Sequence, residues 1–438
     1  MEIDNTTLND LSIFNTEEDF SVFNTLNFCT TAGGKAKLHT NYCTPLSSIT
    51  AIQGIQQTIQ QLIQHQQYWP TQISNGTVLM VEKFFTTTID EIPENPSVSG
   101  TLAYKILHGP DFSFVKYSME HIVDFLIGLH QFVQQILANQ TALPLKNIVQ
   151  SIQAMLQKEQ FAFLQPYKKA SEIPLRLQLA LAHFIRYRYK QNMLQLLDMF
   201  YQLDAWYGMA MGVQKYHLIF PTFSTQQKPL LQVAGLYHPL LPQAVAYNID
   251  LLPSKNFLFL TGANMAGKST FIKSVGTAVF LAHLGMGVPA TSMQLSIFDG
   301  LLSNINVMDN IVKGESYFYN EVQRIKATVQ KISDGRNWFI LIDELFKGTN
   351  VQDAMKCSTA VIEGFLKTST STFILSTHLY EIGEPLKQYP NIIFNYFETT
   401  ATNDELVFNY QLKEGISNDR LGYLILKKEG VVKLLQQL

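Results

Sequence analysis

In the second half of the chain, an apolar run is followed by Gly262-Ala263-Asn264-Met265-Ala266-Gly267-Lys268-Ser269. These eight residues have the spacing G-x-x-x-x-G-K-[ST] of a phosphate-binding loop. Its glycines let the backbone N–H groups point inward around an anion, and the positive end of the following helix adds to the attraction. Lys268 is predicted to reach the β- and γ-phosphates of a nucleotide, and the Ser269 hydroxyl to join a Mg²⁺ shell.

The sequence around this loop alternates between strand-like and helix-like segments. Residues 257–260 are a buried-strand candidate directly before the loop. Five later segments continue the alternation of helical periodicity and apolar runs: 271–284, 317–332, 338–342, 353–367 and 372–376. Strands alternating with helices predict a mainly parallel sheet that helices cover on both faces.

Chemically reactive side chains follow two of these predicted strands. Asp343 and Glu344 come directly after residues 338–342, and His378 follows residues 372–376. Because ligands bind beyond the carboxyl ends of strands in such sheets, Asp343 is predicted to hold Mg²⁺ and Glu344 to polarise an attacking water. The alternative for this pair is a solvated acidic strand end. His378 is a candidate contact for the γ-phosphate or the water, with a structural histidine as the alternative.

Before about residue 220 the sequence has few glycines and strong helical periodicity. Five segments show apolar residues at helical spacing: 52–68, 119–137, 147–157, 175–189 and 192–211. We interpret these stripes as the packing faces of an all-α domain. The sequence therefore predicts two domains, a helical one over residues 1–220 and a phosphate-loop domain over residues 221–438.

Composition and charge narrow the class of protein. With 438 residues, 46% hydrophobic and 15% charged, the chain is not a disordered tail, a collagen or a coiled-coil rod. Its first residues do not resemble a signal peptide, and no apolar run reaches the roughly 18 residues that span a bilayer. The three cysteines have neither metal nor disulfide spacing. We therefore expect a cytoplasmic protein. The net charge of −3 gives no general support for nucleic-acid binding.

Together, these motifs resemble those of the MutS family of DNA mismatch-repair ATPases. The family loop G-P-N-M-G-G-K-S-T corresponds to Gly262–Thr270, and the Asn-Met pair is uncommon in other phosphate loops. The family segment D-E-x-G-R-G-T resembles residues 343–349, and its [AS]-T-H motif matches residues 376–378. Its signature G-x-S-T-F-x-x-E resembles residues 314–321, and the helical part more weakly resembles the family's core, or lever, domain.

The resemblance implies a fold class and a set of roles. It implies an all-α core or lever domain followed by an ABC-like P-loop ATPase domain, with ATP and Mg²⁺ as ligands. Lys268, Glu344 and His378 are then catalytic, and Gly262–Thr270 binds the nucleotide, with Ser269 and Asp343 on the metal. Phe223 is expected to stack on adenine. Ser316 is expected to reach the γ-phosphate bound by a partner subunit, with a helix N-cap as its alternative role.

This sequence also departs from the family pattern. Core-like sequence begins almost at Met1, and we find no Phe-x-Glu wedge of the kind that the family inserts beside a mispaired base. Phe346-Lys347 stands where the family has Gly-Arg, and Tyr317 where its signature has Thr. We therefore expect a short form that lacks the mismatch-binding domains and has a reduced or absent clamp.

The resulting hypothesis is a Mg²⁺-dependent ATPase of DNA mismatch repair or related DNA metabolism. Its expected partners are DNA, itself or a paralogue as a dimer through the ATPase domain, and other repair proteins. The alternative is a nucleotide-gated clamp or adaptor that binds a DNA structure or a protein without recognising mismatches. A structural protein with a degenerate ATPase is a third hypothesis, which the intact Lys268, Ser269, Asp343 and Glu344 oppose.

One segment is a candidate for DNA contact. Arg186, Arg188 and Lys190 alternate with Tyr187 and Tyr189, and cations beside aromatic rings can grip a phosphate backbone. However, alternating residues point to different sides of a helix, so a solvated lever helix is the favoured interpretation.

Overall fold

The computed structural model describes residues 1–17, 20–138, 142–162, 164, 166–167, 169–226, 228–306, 317–402, 405–417 and 430–435. The chain forms two compact units. The sheet unit comprises Met1–Thr25, Thr44–Gln53 and Lys215–Leu438. The helical unit comprises Leu26–Cys43 and Gly54–Gln214. The first 25 residues thus pack with the sheet, an arrangement that the sequence pattern does not indicate.

The described part of the chain contains eleven strands in two sheets. They are β1 (Glu2–Ile3), β2 (Thr222–Phe223), β3 (Leu231–Leu236), β4 (Tyr247–Leu251), β5 (Phe257–Thr261), β6 (Ser292–Leu295), β7 (Gly300–Asn304), β8 (Trp338–Asp343), β9 (Thr372–Ser376), β10 (Ile392–Thr402) and β11 (Glu405–Glu414). The larger sheet has the order β1-β7-β8-β9-β5-β10-β11, and only the β10–β11 pair is antiparallel. The smaller sheet has the order β2-β6-β3-β4.

The central strands of the larger sheet are buried along their whole length, as their continuous apolar sequences predict. Every residue of β5, β8 and β9 is buried. One face carries an aromatic core that includes Phe257, Phe259, Trp338 and Phe373. The helices and short helical turns assigned mainly to this unit are Asn5–Asp10, Val22–Leu26, Lys268–His283, Tyr317–Ile332, Val351–Phe365, Tyr380–Ile382, Gly383–Leu386 and Val431–Leu435. The predicted combination of a helical part with a parallel-rich sheet is confirmed.

The helical unit is built from amphipathic helices. The helical segments that lie in it wholly or partly are Ala32–Cys43, Ile49–Gln64, Gln66–Tyr68, Asn75–Thr86, Val98–Leu107, Gly109–Leu137, Leu143–Leu156, Glu159–Ala162, Ala170–Glu172, Leu175–His183, Phe184–Arg188 and Lys190–Lys215. The sequence predicts one helix over residues 175–189, whereas the structure has an α-helix to His183 and a π-helical turn over Phe184–Arg188. None of the helices in the described ranges combines the length and apolarity needed to cross a bilayer.

A buried aspartate organises the start of one helix in this unit. Asp204 is fully buried and accepts four hydrogen bonds, from the backbone N–H and the hydroxyl of both Thr30 and Thr31, at 2.6–2.9 Å. A Cβ added to Gly34 would lie 2.0 Å from its carboxylate, so glycine is required there. The carboxylate thereby caps the helix Ala32–Cys43.

Candidate nucleotide-binding site

The phosphate-binding loop joins β5 to the helix Lys268–His283 through left-handed backbone. Gly262 and Gly267 have φ angles of +141° and +105°, and Met265 has a φ of +67°. Glycine adopts such angles without steric cost. A Cβ on Gly262 would also lie 3.2 Å from the carbonyl oxygen of Phe397. The strand–loop–helix context that the motif requires is therefore present.

The side chain of Lys268 is buried beneath this loop. Its Nζ donates hydrogen bonds to the carbonyl oxygens of Gly262 at 2.8 Å and Ala263 at 3.1 Å. Burial lowers the pKa of Lys268, while the nearby carboxylates of Glu344 and Asp343 act in the opposite direction. The cation is thus held by the loop itself, beside two acidic side chains.

Asp343 ends β8 and lies next to the loop. Two hydroxyl groups of the described part donate to its carboxylate, those of Ser269 and Ser376. Asp343 is buried, whereas Ser269 is exposed. Because β5, β9 and β8 are adjacent and parallel, their carboxyl ends bring Ser269, Ser376 and Asp343 together. The structure thus joins the two residues that the sequence predicts for a metal.

Glu344 carries a second carboxylate of this site. Its φ is +63°, and its N–H donates to the carbonyl oxygen of Ser376 at 3.0 Å. Its Oε2 lies 3.3 Å from Lys347 Nζ and 3.6 Å from His378 Nδ1. The His378 ring, and then the charges of Lys347 and Lys268, lower the pKa of Glu344 to about 2 against the opposing effect of burial. Glu344 is therefore ionised at neutral pH.

A cavity of about 540 Å³ opens over these groups. Its lining includes seven residues of Gly262–Thr270 and Glu344, together with residues that the sequence does not point to: Leu241, Gln243, Val245, Tyr247 and Tyr410. Tyr410 has a φ of +52° and lies in β11, where the β10–β11 register shifts. An irregularity of this kind re-aims a side chain. Tyr410 lies 142 positions beyond Lys268, so no local sequence pattern indicates that it lines the cavity. Only strand pairing brings it to the loop.

The comparison with known proteins agrees with this geometry. Residues 258–435 match the family model described as MutS domain V. The matched segment contains the phosphate-binding loop, Asp343, Glu344 and His378, so the candidate site lies within the part of the chain that is similar to MutS. The chain is 28% identical over 293 residues to the DNA mismatch repair protein MutS of Staphylococcus epidermidis, which covers 65% of this chain and 32% of the relative. It is 29% identical over 233 residues to that of Pseudothermotoga lettingae, which covers 52% of this chain and 28% of the relative. The chain spans about a third of the length of these curated relatives.

Two further predicted nucleotide contacts, Phe223 and Ser316, are not tested by the geometry above. Phe223 lies in β2, and its ring stands edge-on to the ring of the buried His283 with centroids 5.8 Å apart. It is not among the residues that line the cavity in the described part of the chain. Ser316 lies outside the described residues. Stacking by Phe223 and the trans role of Ser316 stay predictions.

The cations proposed for DNA contact have partners within the helical unit. Arg186 donates to the carbonyl oxygens of Phe84 and Thr87 at the end of a helix. Arg188 pairs with Glu94 at 2.6 Å. The hydroxyl of Tyr189 donates to the carbonyl oxygen of Met155 at 2.8 Å, and Lys190 Nζ lies 6.0 Å from the centroid of the Phe85 ring. These contacts favour a structural role for the segment.

Proposed function

We propose that this chain binds ATP together with Mg²⁺ in the cavity over the phosphate-binding loop and hydrolyses it to ADP and phosphate. One observation carries the proposal. The anion-binding loop with Ser269 and the ionised Glu344 line one cavity, and Ser269 is hydrogen bonded to Asp343. These are the groups that phosphoryl transfer needs, because its catalysis consists mainly of positioning and charge stabilisation.

The loop supplies the binding of the phosphates. Backbone N–H groups of residues Gly262–Thr270 and the N-terminus of the helix that follows attract an anion. Lys268 already lies against the loop carbonyls of Gly262 and Ala263, so a small rotation exchanges these acceptors for phosphate oxygens. Its cation would then offset the charge on the transferred phosphoryl group.

The donor set suits Mg²⁺. Hydroxyl and carboxylate oxygens are its preferred ligands, and nucleotide sites commonly use one or two protein groups besides phosphate and water. Ser269 and Asp343 are in direct contact and provide such a pair. When bound, Mg²⁺ would neutralise part of the negative charge on the phosphate groups. Ser376 would then hold the other oxygen of the Asp343 carboxylate in place.

Glu344 is positioned to orient the attacking water. Its carboxylate borders the cavity and stays charged, so it can accept a hydrogen bond from a water aligned with the γ-phosphate. Attack forms a bond from that water oxygen to phosphorus as the bond from phosphorus to the ADP oxygen breaks. His378 is half-exposed beside Glu344, so it can contact the γ-phosphate or the same water.

The nucleotide base has two candidate binding surfaces, one beside the loop and one at Phe223. Leu241, Val245 and Tyr410 line the cavity next to the loop and offer an apolar and aromatic surface. Phe223 is the residue that the family resemblance suggests. Measuring the affinity of Tyr410→Ala and Phe223→Ala for ATP decides between them. Loss of the residue that stacks on the base should weaken ATP binding without lowering turnover at saturating ATP, whereas loss of the other residue should not weaken binding.

The matched relatives are named DNA mismatch repair proteins, and we propose a related role for this chain. The nucleotide state would control binding to DNA in a dimer, with Ser316 completing the site of the partner subunit. The cytoplasmic location and the involvement of other repair proteins belong to the same proposal.

Steady-state ATP hydrolysis by the full chain tests the proposal. Turnover should require Mg²⁺, Lys268→Ala should weaken nucleotide binding, and Glu344→Gln should lower kcat by about 100-fold while ATP still binds. A wild-type protein that neither binds nor hydrolyses ATP would overturn it. Matched duplex, single-mismatch duplex and branched junction are added in parallel. Stimulation by the mismatch alone supports lesion sensing, equal stimulation by all supports a clamp without mismatch recognition, and no response removes DNA from the proposal.

A further inference from the structure

The turn that follows β8 has an unusual backbone. Glu344 and Phe346 have φ angles of +63° and +59°. Both are non-glycine residues in the left-handed region, which side chains with a Cβ rarely adopt. Two such residues within three positions persist only where the surrounding structure holds them. Glu344, the first of these two residues, carries the carboxylate that we propose aligns the attacking water.

The buried carboxylate of Glu321 holds this turn from the other side. Glu321 is only 4% exposed. Its Oε1 accepts the N–H of Lys347 at 3.1 Å, and its Oε2 accepts the N–H of Gly348 at 3.2 Å. One side chain thus fixes two consecutive peptide units. Because each oxygen has its own donor, a charged carboxylate suits the position better than an amide, which has one acceptor oxygen.

An aromatic contact from the same helix supports the turn. Phe346 is buried, and its ring centroid lies 5.7 Å from that of Phe318. Phe318 and Glu321 both belong to the helix Tyr317–Ile332. Phe346 stands where the MutS pattern has glycine, the residue that takes a positive φ freely. This chain keeps the turn with a phenylalanine, so its backbone depends more strongly on what anchors it.

We propose that Glu321 is a positioning residue for Glu344. By holding the N–H groups of Lys347 and Gly348, it stabilises the left-handed turn that directs the Glu344 carboxylate to the cavity. The inference rests on the proposed function, in which Glu344 orients the attacking water. Glu321 is not in the lining of the cavity over the loop, so it acts through the backbone.

The variant Glu321→Gln tests this role with little change in shape. We expect kcat for ATP to fall by about 10-fold or more, because small displacements of a catalytic group are costly, while the Kd for ATP stays within about twofold. Glu384→Gln makes the same chemical change at an exposed site of the sheet unit and should leave both values unchanged. An unchanged kcat in Glu321→Gln overturns the role. A loss of ATP affinity as large as the loss of kcat also overturns the role, because Glu321 would then stabilise the whole site and not specifically the position of Glu344.

A second pair of variants tests the backbone explanation directly. In the Glu321→Gln background, Phe346→Gly should restore part of the lost kcat, because glycine keeps the left-handed turn without an anchor. Phe346→Ala removes the same ring but keeps the steric cost, so it should restore nothing. Equal behaviour of the two variants contradicts the role. If wild type is active and Glu344→Gln is not, a normal Glu321→Gln rejects this inference alone. If wild type is inactive, the proposed function fails first.

Discussion

Asp204 of the helical unit and Asp343 of the sheet unit are both buried and accept hydroxyl hydrogen bonds, but in opposite settings. Asp204 of the helical unit is fully buried and receives four donors, which fills the capacity of a carboxylate. Asp343 of the sheet unit receives two hydroxyls in the described part and lies next to Ser269 and Glu344, which line the open cavity. The first carboxylate is saturated by its own fold, whereas the second keeps lone pairs for a ligand. We therefore propose that saturation with hydrogen-bond donors, more than burial, separates structural from functional charge here.

The largest effect should come from removing the saturated carboxylate. Asp204→Ala leaves the buried N–H and hydroxyl of Thr31 and the partly buried ones of Thr30 without their acceptor. It should lower the free energy of unfolding by about 4 kcal/mol. Urea unfolding followed by circular dichroism measures this. Asp198→Ala, at an exposed position of the same helix, is the matched control. A loss below about 1 kcal/mol would show that water replaces the carboxylate and would remove the contrast with Asp343.

The next test concerns His283, a buried titratable side chain of the sheet unit whose two ring nitrogens both have hydrogen-bond partners. The Nδ1 of His283 lies 2.8 Å from the carbonyl oxygen of Leu46, and its Nε2 accepts the N–H of Phe298 at 3.3 Å. Burial lowers the pKa of His283 to about 4 from 6.5. The unfolded chain therefore binds the proton more readily, so stability is complete above pH 6.5 and falls as the pH drops to 4.

This shift corresponds to about 3 kcal/mol of the free energy of unfolding. Unfolding measured at several pH values should show the decline, and His283→Gln should flatten it while lowering stability at pH 7. His238, whose pKa burial also lowers to about 4, should account for the slope that remains. A variant with the wild-type pH slope would show that His283 does not titrate in this window.

Asp343→Asn should separate function from stability. The amide keeps the shape of the side chain and one acceptor oxygen for the serine hydroxyls. It loses the negative charge that we propose binds Mg²⁺. We expect kcat for ATP to fall by about 100-fold, equivalent to about 2.7 kcal/mol in the barrier, with stability changed by less than about 1 kcal/mol. Asp250→Asn, an exposed aspartate of the smaller sheet, should change neither quantity. A destabilisation as large as that of Asp204→Ala would make both aspartates structural.

The smallest effect is expected from the cations of the helical unit. Arg188 and Glu94 form an exposed ion pair, with side chains 64% and 52% exposed. Such pairs contribute about 0.5 kcal/mol, so Arg188→Ala should change stability by no more than this. We also expect it to leave the Kd for duplex DNA unchanged in a filter-binding titration. A tenfold weaker Kd, with a shallower salt dependence, would instead place this segment on DNA.

Local patterns were sufficient to predict the central elements of the larger sheet and the proximity of the main residues of the candidate site. The strands at residues 257–260, 338–342 and 372–376 are confirmed and each is complete to within one residue. The loop, Asp343 and Glu344 were identifiable because a motif of adjacent residues follows a buried strand. Their proximity followed from one rule, that parallel strands end at the same edge of a sheet.

The tertiary structure decided what this rule does not cover. Tyr410 reaches the loop through an irregular strand pair, and Glu321 reaches the turn at Phe346 from a separate helix. The addition of Met1–Thr25 to the sheet unit likewise depends on pairing between segments about 300 residues apart. Sequence spacing determines which side chains share an element, because the helix and the strand have fixed periods. Contacts between elements that are distant in sequence depend on how their surfaces pack, and the local periodicity of the sequence does not determine that packing.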